Sequence, residues 1–396
     1  MAMARGNWVP QTCTSIQGMS LLLALGFSIL LVNAAELISP PRTVPPGLEH
    51  PPSPGLEQRE TIAHRILGLE REVNGSTNSA AAVLNQVLDA LGEAAQKIKR
   101  RREDRWDPHY AETVLRAIDA RLIELGFLYP DTGAVDLLTD CFTPFQMDAA
   151  RRTGFQWRSE NLRRMEMLAK RFPGPFYTLD CDTACFLYLS VAERLRWPLF
   201  LVVVPSRDRR PGHAFVRWRE GTRSVNWETT EGVIRSDEAF VKSWNISPSA
   251  IRTGAAMTEL TLDQALGCAH YLVGVRYERQ GNADRALREF TRALELHPEN
   301  LDARREFAWV SATAPELKTR DHATATRHIL HVLEQMEDPD ARDTLAAVHA
   351  SAGRFEQAVR EELKAIRNGT ASAKPGFRQR LELYREGKAY RTRRRF

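Results

Sequence analysis

Apolar residues recur at helical spacing along much of this chain of 396 residues. In residues 59–170 they fall three and four positions apart, most clearly in the segments AAAVLNQVLDALGEAAQKI and AETVLRAIDARLIELGFL. Gly126 and Pro130 are expected to end the second of these helices. The pattern predicts a helical lobe that contributes core and one wall of a cleft.

Another helical stripe begins at Cys181. The apolar positions that recur in it are Ala184, Tyr188, Val191 and Leu195. Because Cys181 lies on the same stripe in the first turn, its thiol is expected to point inward, toward whatever the helix packs against. Cys185, one turn further on, is expected to be a core residue. Pro198 is expected to end this helix.

Strand patterns follow this helix. The run LFLVVV at Leu199–Val204 is continuously apolar, which is typical of a strand buried on both faces. After the polar turn RDRRPG, alternation in HAFVRW places His213, Phe215 and Arg217 on one face and Ala214, Val216 and Trp218 on the other. A hairpin at residues 220–222 leads into RSVNWETT, where Ser224, Asn226 and Glu228 share a face. The sequence therefore predicts a helix packed on an antiparallel sheet.

The N-terminal region has a different pattern. Residues 19–32 form an apolar run, and VNA precedes Ala35, which together are typical of a signal peptide. A single uncleaved membrane anchor is the alternative. Residues 39–58 are rich in proline and predict an extended linker. The protein is therefore expected to be exported, either periplasmic or anchored in the membrane and facing away from the cytoplasm.

A repeat pattern occupies the C-terminal third. Residues 267–300 resemble a tetratricopeptide repeat, and the preferred small, aromatic and proline positions are occupied by Gly274, Tyr277, Gly281, Ala286, Phe290, Ala293 and Pro298. A related unit begins near Pro339, and a divergent unit of about 38 residues lies between the two. Such stacks bind a protein or peptide along a concave surface. The alternative is that the repeats only extend and stabilise the preceding domain.

Composition and charge narrow the functional classes. The chain is 43% hydrophobic and 27% charged, with a formal net charge of +5, which describes folded protein. Basic residues cluster at 97–102 and 391–395, and we interpret both clusters as solvated surface, with an anionic membrane surface or nucleic acid as the alternative. Arginines scattered without a recognition motif do not favour a nucleic acid partner. The chain shows no nucleotide-binding loop and no compact metal-ligand spacing, so neither a cofactor nor a metal is predicted.

The cysteine pattern leaves one disulfide open. Cleavage of the signal peptide would remove Cys13 and leave Cys141, Cys181, Cys185 and Cys268. Cys181 and Cys185 share a helix face at a spacing that rarely allows a disulfide, whereas a bridge between Cys141 and Cys268 remains open.

The helix and sheet gather the residue types of a thiol enzyme. A thiolate is the nucleophile, a helix N-terminus and an imidazolium lower the pKa of the thiol, and an acid or amide fixes the tautomer of the histidine. Cys181, His213 and Glu228 fit these roles, with Asn226 as the alternative third residue. The backbone N–H of Cys181 is the simplest oxyanion donor.

The same three segments resemble the transglutaminase-like superfamily, particularly its bacterial branch. CDTACFLYLSVAERLRWP, GHAFVRW and VNWETTEG occur in the order of that family's motifs, over roughly residues 130–258. The resemblance implies a papain-like fold in which Cys181 is the nucleophile, His213 the general base and Glu228 the orienting acid. Members include protein cross-linking enzymes, proteases, amidases and inactive domains.

The chain departs from the family pattern near the thiol. Asp180 stands where the family commonly has glycine or asparagine, and together with Asp182 it is expected to raise the pKa of the Cys181 thiol. Asp180 has the alternative role of capping the helix. Arg196 replaces a turn glycine.

The predicted organisation is an α+β, papain-like domain followed by an all-α repeat solenoid. Its segments are a signal peptide or anchor at 1–38, a linker at 39–58, a transglutaminase-like domain at 59–258 (lobe 59–170, catalytic core 171–258), repeats at 259–375, and a capping helix with a basic tail at 376–396. We favour a cysteine protease, amidase or transglutaminase-like enzyme. The alternative is an inactive scaffold whose repeats bind proteins.

Overall fold

The computed structural model describes residues 60–75, 78–100, 106–129, 137–144, 167, 170 and 176–392. The signal peptide or anchor and the linker predicted at 1–38 and 39–58 lie outside these residues, as do the last four residues of the basic tail. Within the described ranges, no helix combines the length and the apolar character needed to cross a membrane.

Helices form the first layer of the fold. They are α1 (Ile62–Asn74), α2 (Asn78–Gln96), α3 (Pro108–Glu124) and α4 (Leu138–Cys141). Asp107 caps α3 by accepting the N–H groups of His109 and Tyr110. Gly126 follows α3 with φ at 87°, and the chain then enters β1 (Phe127–Leu128), which pairs in parallel with β2 (Tyr177–Thr178). This small ladder was not predicted from the sequence.

The helix predicted at Cys181 is α5 (Cys181–Leu195). It ends at Arg196, which has φ at 55° and ψ at 43°, the left-handed conformation that glycine usually supplies at this position. The five-stranded sheet that follows has the order β6-β5-β4-β3-β7. Its strands are β3 (Leu199–Val204), β4 (His213–Glu220), β5 (Arg223–Glu228), β6 (Val233–Ile234) and β7 (Glu259–Leu260). Each neighbouring pair in this sheet is antiparallel.

Helices then run to the C-terminal end of the described chain. Two short ones, α6 (Asp237–Trp244) and α7 (Pro248–Thr253), precede β7. The repeats that follow form three helix pairs and one further helix: α8 (Leu262–Arg279) with α9 (Ala283–Leu296), α10 (Leu301–Thr313) with α11 (His322–Gln335), α12 (Pro339–Ser351) with α13 (Phe355–Asn368), and α14 (Lys374–Arg385). The mixed α+β class and the repeat-like helical C-terminal region are therefore confirmed.

The two faces of the sheet bury different cores. On one face, Leu201, Ala214 and Val216 pack with α5 and the helical lobe. On the other face, Val202 and Phe215 pack with α6 and with apolar side chains of α10, α11 and α12. The second face of the sheet and the repeats therefore belong to one hydrophobic core. Since strand alternation separates the two sets of side chains, each face has its own apolar partner.

Candidate active site

Asp180 and Thr183 fix the start of α5. The Asp180 carboxylate accepts the Thr183 N–H at 2.9 Å, and the Thr183 hydroxyl accepts the Asp180 N–H at 3.0 Å. This reciprocal cap is a strong local signal for a helix N-terminus. Cys181 is the first helical residue, so its thiol lies where the partial positive charge of the helix is greatest.

The half-buried Cys181 thiol lies among acidic groups. It donates a hydrogen bond to Asp182 Oδ2 at 3.8 Å. Burial, with the charges of Asp182 and Asp180, raises the pKa of the Cys181 thiol well above its ordinary value, although a hydrogen bond with the backbone of Ala214 lowers it. Burial also raises the pKa of Asp182 to about 6, and the charge of Asp302 adds to this effect. Burial and the neighbouring carboxylates therefore favour the protonated form of the thiol.

His213 and Glu228 form a buried pair. His213 begins β4, Glu228 ends β5, and the His213 Nε2 lies 2.6 Å from Glu228 Oε2. The side chains are 10% and 2% exposed, respectively. Thr230 donates from its hydroxyl and its N–H to Glu228 Oε1. Burial opposes ionisation of Glu228, but the hydrogen bond and charge of His213, together with Thr230, lower its pKa.

Aromatic side chains form the wall behind His213. Its ring stacks on Trp244, at the end of α6, with 4.5 Å between ring centroids and 16° between planes. Arg210, in the loop before β4, lies over the same indole at 4.7 Å. Trp244 and Arg210 also line a cleft of about 510 Å³ beside the start of α12. No role for Trp244 was predicted from the sequence. Its contact with His213 joins α6 to β4, and no pattern of neighbouring residues indicates such a contact.

Asn226, the alternative third residue, has different partners. Its Oδ1 accepts from Arg217 Nε at 2.6 Å. Its amide donates to Asp237 Oδ1 at 2.7 Å and to the Arg235 carbonyl. Asn226 thus joins β4, β5 and α6, whereas Glu228 is the residue that contacts the imidazole.

The other described cysteines are buried. Cys185 is fully buried in the core, with its sulfur 3.9 Å from Thr229 Oγ1. Cys141, Cys181, Cys185 and Cys268 are free, so the bridge left open between Cys141 and Cys268 is not formed. Cys268 lies on α8, where its sulfur is 3.7 Å from His297 Nδ1. In the part of the chain that the structure describes, no group of three or more His, Cys, Asp or Glu side chains could hold a metal ion.

The structure pairs His213 with Glu228, and the candidate nucleophile Cys181 contacts the backbone of Ala214, the residue after His213. With Nε2 bound to Glu228, the Nδ1 of His213 is the nitrogen that remains to accept a proton. In the described residues, no hydrogen bond joins Cys181 to His213; the thiol is paired with Asp182. Proton transfer to the ring therefore requires the thiol to leave Asp182 and turn toward His213.

Comparison with known families finds a match in the repeats. Residues 267–300 match the model of the tetratricopeptide repeat, over the range predicted from the sequence. No curated protein and no solved structure matches the chain. The repeat match supports protein–protein interaction by the C-terminal region.

Proposed function

We propose that this chain is a thiol enzyme that acts on amide bonds of a peptide or protein, while its repeats hold a protein partner. The buried pair of His213 and Glu228 carries the proposal. Their side chains meet at 2.6 Å, and the backbone of Ala214, the residue after His213, forms a hydrogen bond with the Cys181 thiol at the start of α5. A buried carboxylate that fixes an imidazole is the arrangement that general base catalysis needs. The resemblance to the transglutaminase-like superfamily supports the same roles.

The reaction follows from the positions of these groups. His213 Nδ1 takes the proton of the Cys181 thiol as the sulfur attacks the amide carbonyl carbon. The C–N bond then breaks, the proton passes from His213 to the leaving amine, and an acyl thioester remains on Cys181. Water attacking the thioester gives hydrolysis, and an amine gives acyl transfer. The Cys181 N–H, at the start of α5, is the simplest backbone donor for the oxyanion.

A second candidate is a protein-binding scaffold with an inactive thiol domain. The position of Asp182 favours it, because this carboxylate both pairs with the thiol and raises the thiol pKa. Under this alternative, the His213–Glu228 pair only links β4 to β5, and the repeats carry the function alone.

Acylation by p-nitrophenyl acetate separates the two candidates. The acetylated residue is located by mass spectrometry of peptides, which also distinguishes Cys181 from Cys13. If His213 acts as base, Cys181 forms a thioester that hydroxylamine removes, and His213→Ala slows its formation at pH 7 by about a hundredfold or more. Cys185→Ala removes a buried thiol from the same helix and is the matched control.

The outcomes are distinct. Thioester formation that depends on His213 but not on Cys185 supports the enzyme. Equal acylation rates in the wild type and in His213→Ala would mean that the imidazole does not activate the thiol, and only the scaffold candidate would remain.

A further inference from the structure

The loop between β3 and β4, residues 205–212, contains a strained turn. Asp208 and Arg209 have φ at 48° and 62°, a left-handed conformation that asparagine and glycine adopt more readily. Arg207 and Arg210 close the turn through two backbone hydrogen bonds of 2.9 and 2.8 Å. Two consecutive residues of this kind need contacts outside the turn to hold it.

The repeats supply those contacts. The Asp208 N–H donates to Asp338 Oδ1 at 2.9 Å. The Arg209 N–H donates to Asp340 Oδ2 at 2.6 Å, and the Arg209 Nε donates to Asp340 Oδ1 at 3.0 Å. Asp338 caps α12, and Asp340 lies in its first turn. The third repeat pair, α12 with α13, therefore accepts hydrogen bonds from the N–H groups of both strained residues, Asp208 and Arg209.

The base of the loop is also held. The Ser206 N–H donates to Asp302 of α10 at 3.2 Å, and Arg305 donates to the Ser206 hydroxyl at 2.6 Å. At Gly212, an added Cβ would lie 2.9 Å from the Val204 carbonyl and 3.2 Å from Asp302 Oδ2. The two ends of the loop therefore meet against α10 without room for a larger residue.

The loop reaches the candidate site through Arg210. This residue donates to the Ser243 carbonyl and lies over the ring of Trp244. Trp244 in turn stacks on His213. Contacts therefore run without a break from Asp340 in the repeats to the imidazole.

We propose that the repeats position His213: Asp340 holds the 205–212 loop in its strained turn, and the loop keeps Arg210 and Trp244 stacked behind the imidazole. Asp340 is then a positioning residue, and release of the loop changes the placement of His213. The consequence for catalysis rests on the proposed function; the structural coupling does not.

The test compares Asp340→Ala with Asp284→Ala. Asp284 also lies in the first turn of a repeat helix, α9. None of the loop's hydrogen bonds described above involves α9. Hydrogen exchange of residues 205–212 reports loop release. NMR of protein labelled at histidine measures the ring-proton resonances of His213, which depend on its stacking on Trp244. The His213→Ala variant assigns these resonances. Arg209→Ala removes the same ion pair from the loop side, together with the contact of the Arg209 guanidinium with the Phe377 ring of α14.

In Asp340→Ala and in Arg209→Ala, we expect exchange in the loop to rise about tenfold or more and the His213 resonances to move, with no change in Asp284→Ala. Loop exchange that rises while the His213 resonances stay fixed would overturn the coupling, as would equal shifts in Asp284→Ala. If the proposed function fails instead, acylation of Cys181 does not depend on His213, and the His213 resonances still move in Asp340→Ala.

Discussion

Replacing Glu228 with glutamine tests the central pair of the candidate site. The change keeps the size of the side chain and removes its charge. Glu228 accepts from His213 Nε2 through one oxygen and from the hydroxyl and N–H of Thr230 through the other. Glutamine has a single acceptor oxygen, so it cannot accept from both His213 and Thr230, and at least one hydrogen bond that the carboxylate accepts is lost.

The structure sets the size of the effect. A hydrogen bond to a charged group contributes about 1.5–3 kcal/mol, a neutral one about 0.5–1.5 kcal/mol, and an unpaired buried donor costs about 1–3 kcal/mol. Glu228 is 1% exposed as a residue, so water cannot replace the lost acceptor. We therefore expect Glu228→Gln to lower the free energy of unfolding by about 2–3 kcal/mol at pH 7.

The effect has a defined pH dependence. Because the folded pKa of Glu228 lies below its ordinary 4.5, its charge contributes fully above pH 4.5, and this contribution is lost as pH falls through the folded value. Urea unfolding followed by circular dichroism, from pH 7 down to pH 3, measures the difference between wild type and variant. That difference should be constant from pH 7 to about 5 and shrink below about 4.5.

The control is Glu231→Gln, on the turn that follows β5. Glu231 pairs with Arg235, and both side chains are half-buried, at 29% exposed; ion pairs that solvent reaches contribute about 0–1 kcal/mol. A wild-type minus Glu228→Gln difference that is the same at pH 3 as at pH 7 would refute an ionised Glu228 paired with His213. A difference no larger than that of Glu231→Gln would refute the magnitude.

Two further predictions concern stability. Gly274→Ala should lower the free energy of unfolding by roughly 1–2 kcal/mol, because the added Cβ would lie 2.5 Å from the buried ring of Phe290. Gly68→Ala, in α1, should raise the free energy of unfolding by about 0.5–1 kcal/mol, because an added Cβ there has no atom within 4 Å. Thermal melts of both variants measure this contrast. Burial raises the pKa of Glu70 from 4.5 to about 7. The free energy of unfolding of the wild type should therefore fall relative to that of Glu70→Gln as pH rises from about 4.5 through 7. Urea unfolding across this pH range measures the difference.

The repeats were predictable because their signal is local. Gly274 packs against Phe290 within one helix pair, so both residues lie inside a single unit of the sequence pattern. The same holds for α5, whose start is fixed by the Asp180 and Thr183 cap. In each case, residues a few positions apart, or in adjacent helices, determine the element.

The candidate site was only partly predictable. Strand alternation placed His213 on one face of its strand and Glu228 with Asn226 on one face of the next, and the structure brings His213 and Glu228 within 2.6 Å. It gave no reason to choose between Glu228 and Asn226, because that choice depends on Arg217 and Asp237, which bind Asn226 from β4 and α6. Alternation identifies the face of a side chain, whereas partners distant in sequence determine what it binds.

The repeats and the sheet were predicted as successive domains, yet they share a core. Strand periodicity shows that both faces of β3 are apolar, and a strand with two apolar faces needs two covers. Here α5 covers one face, and α10, α11 and α12 cover the other. Burial raises the pKa of Asp182 beside the thiol, and the charge of Asp302 of α10 adds to this effect. Asp340 of α12 accepts a hydrogen bond from the loop before His213. The repeats therefore contribute both to the core beneath the candidate site and to the charges around it.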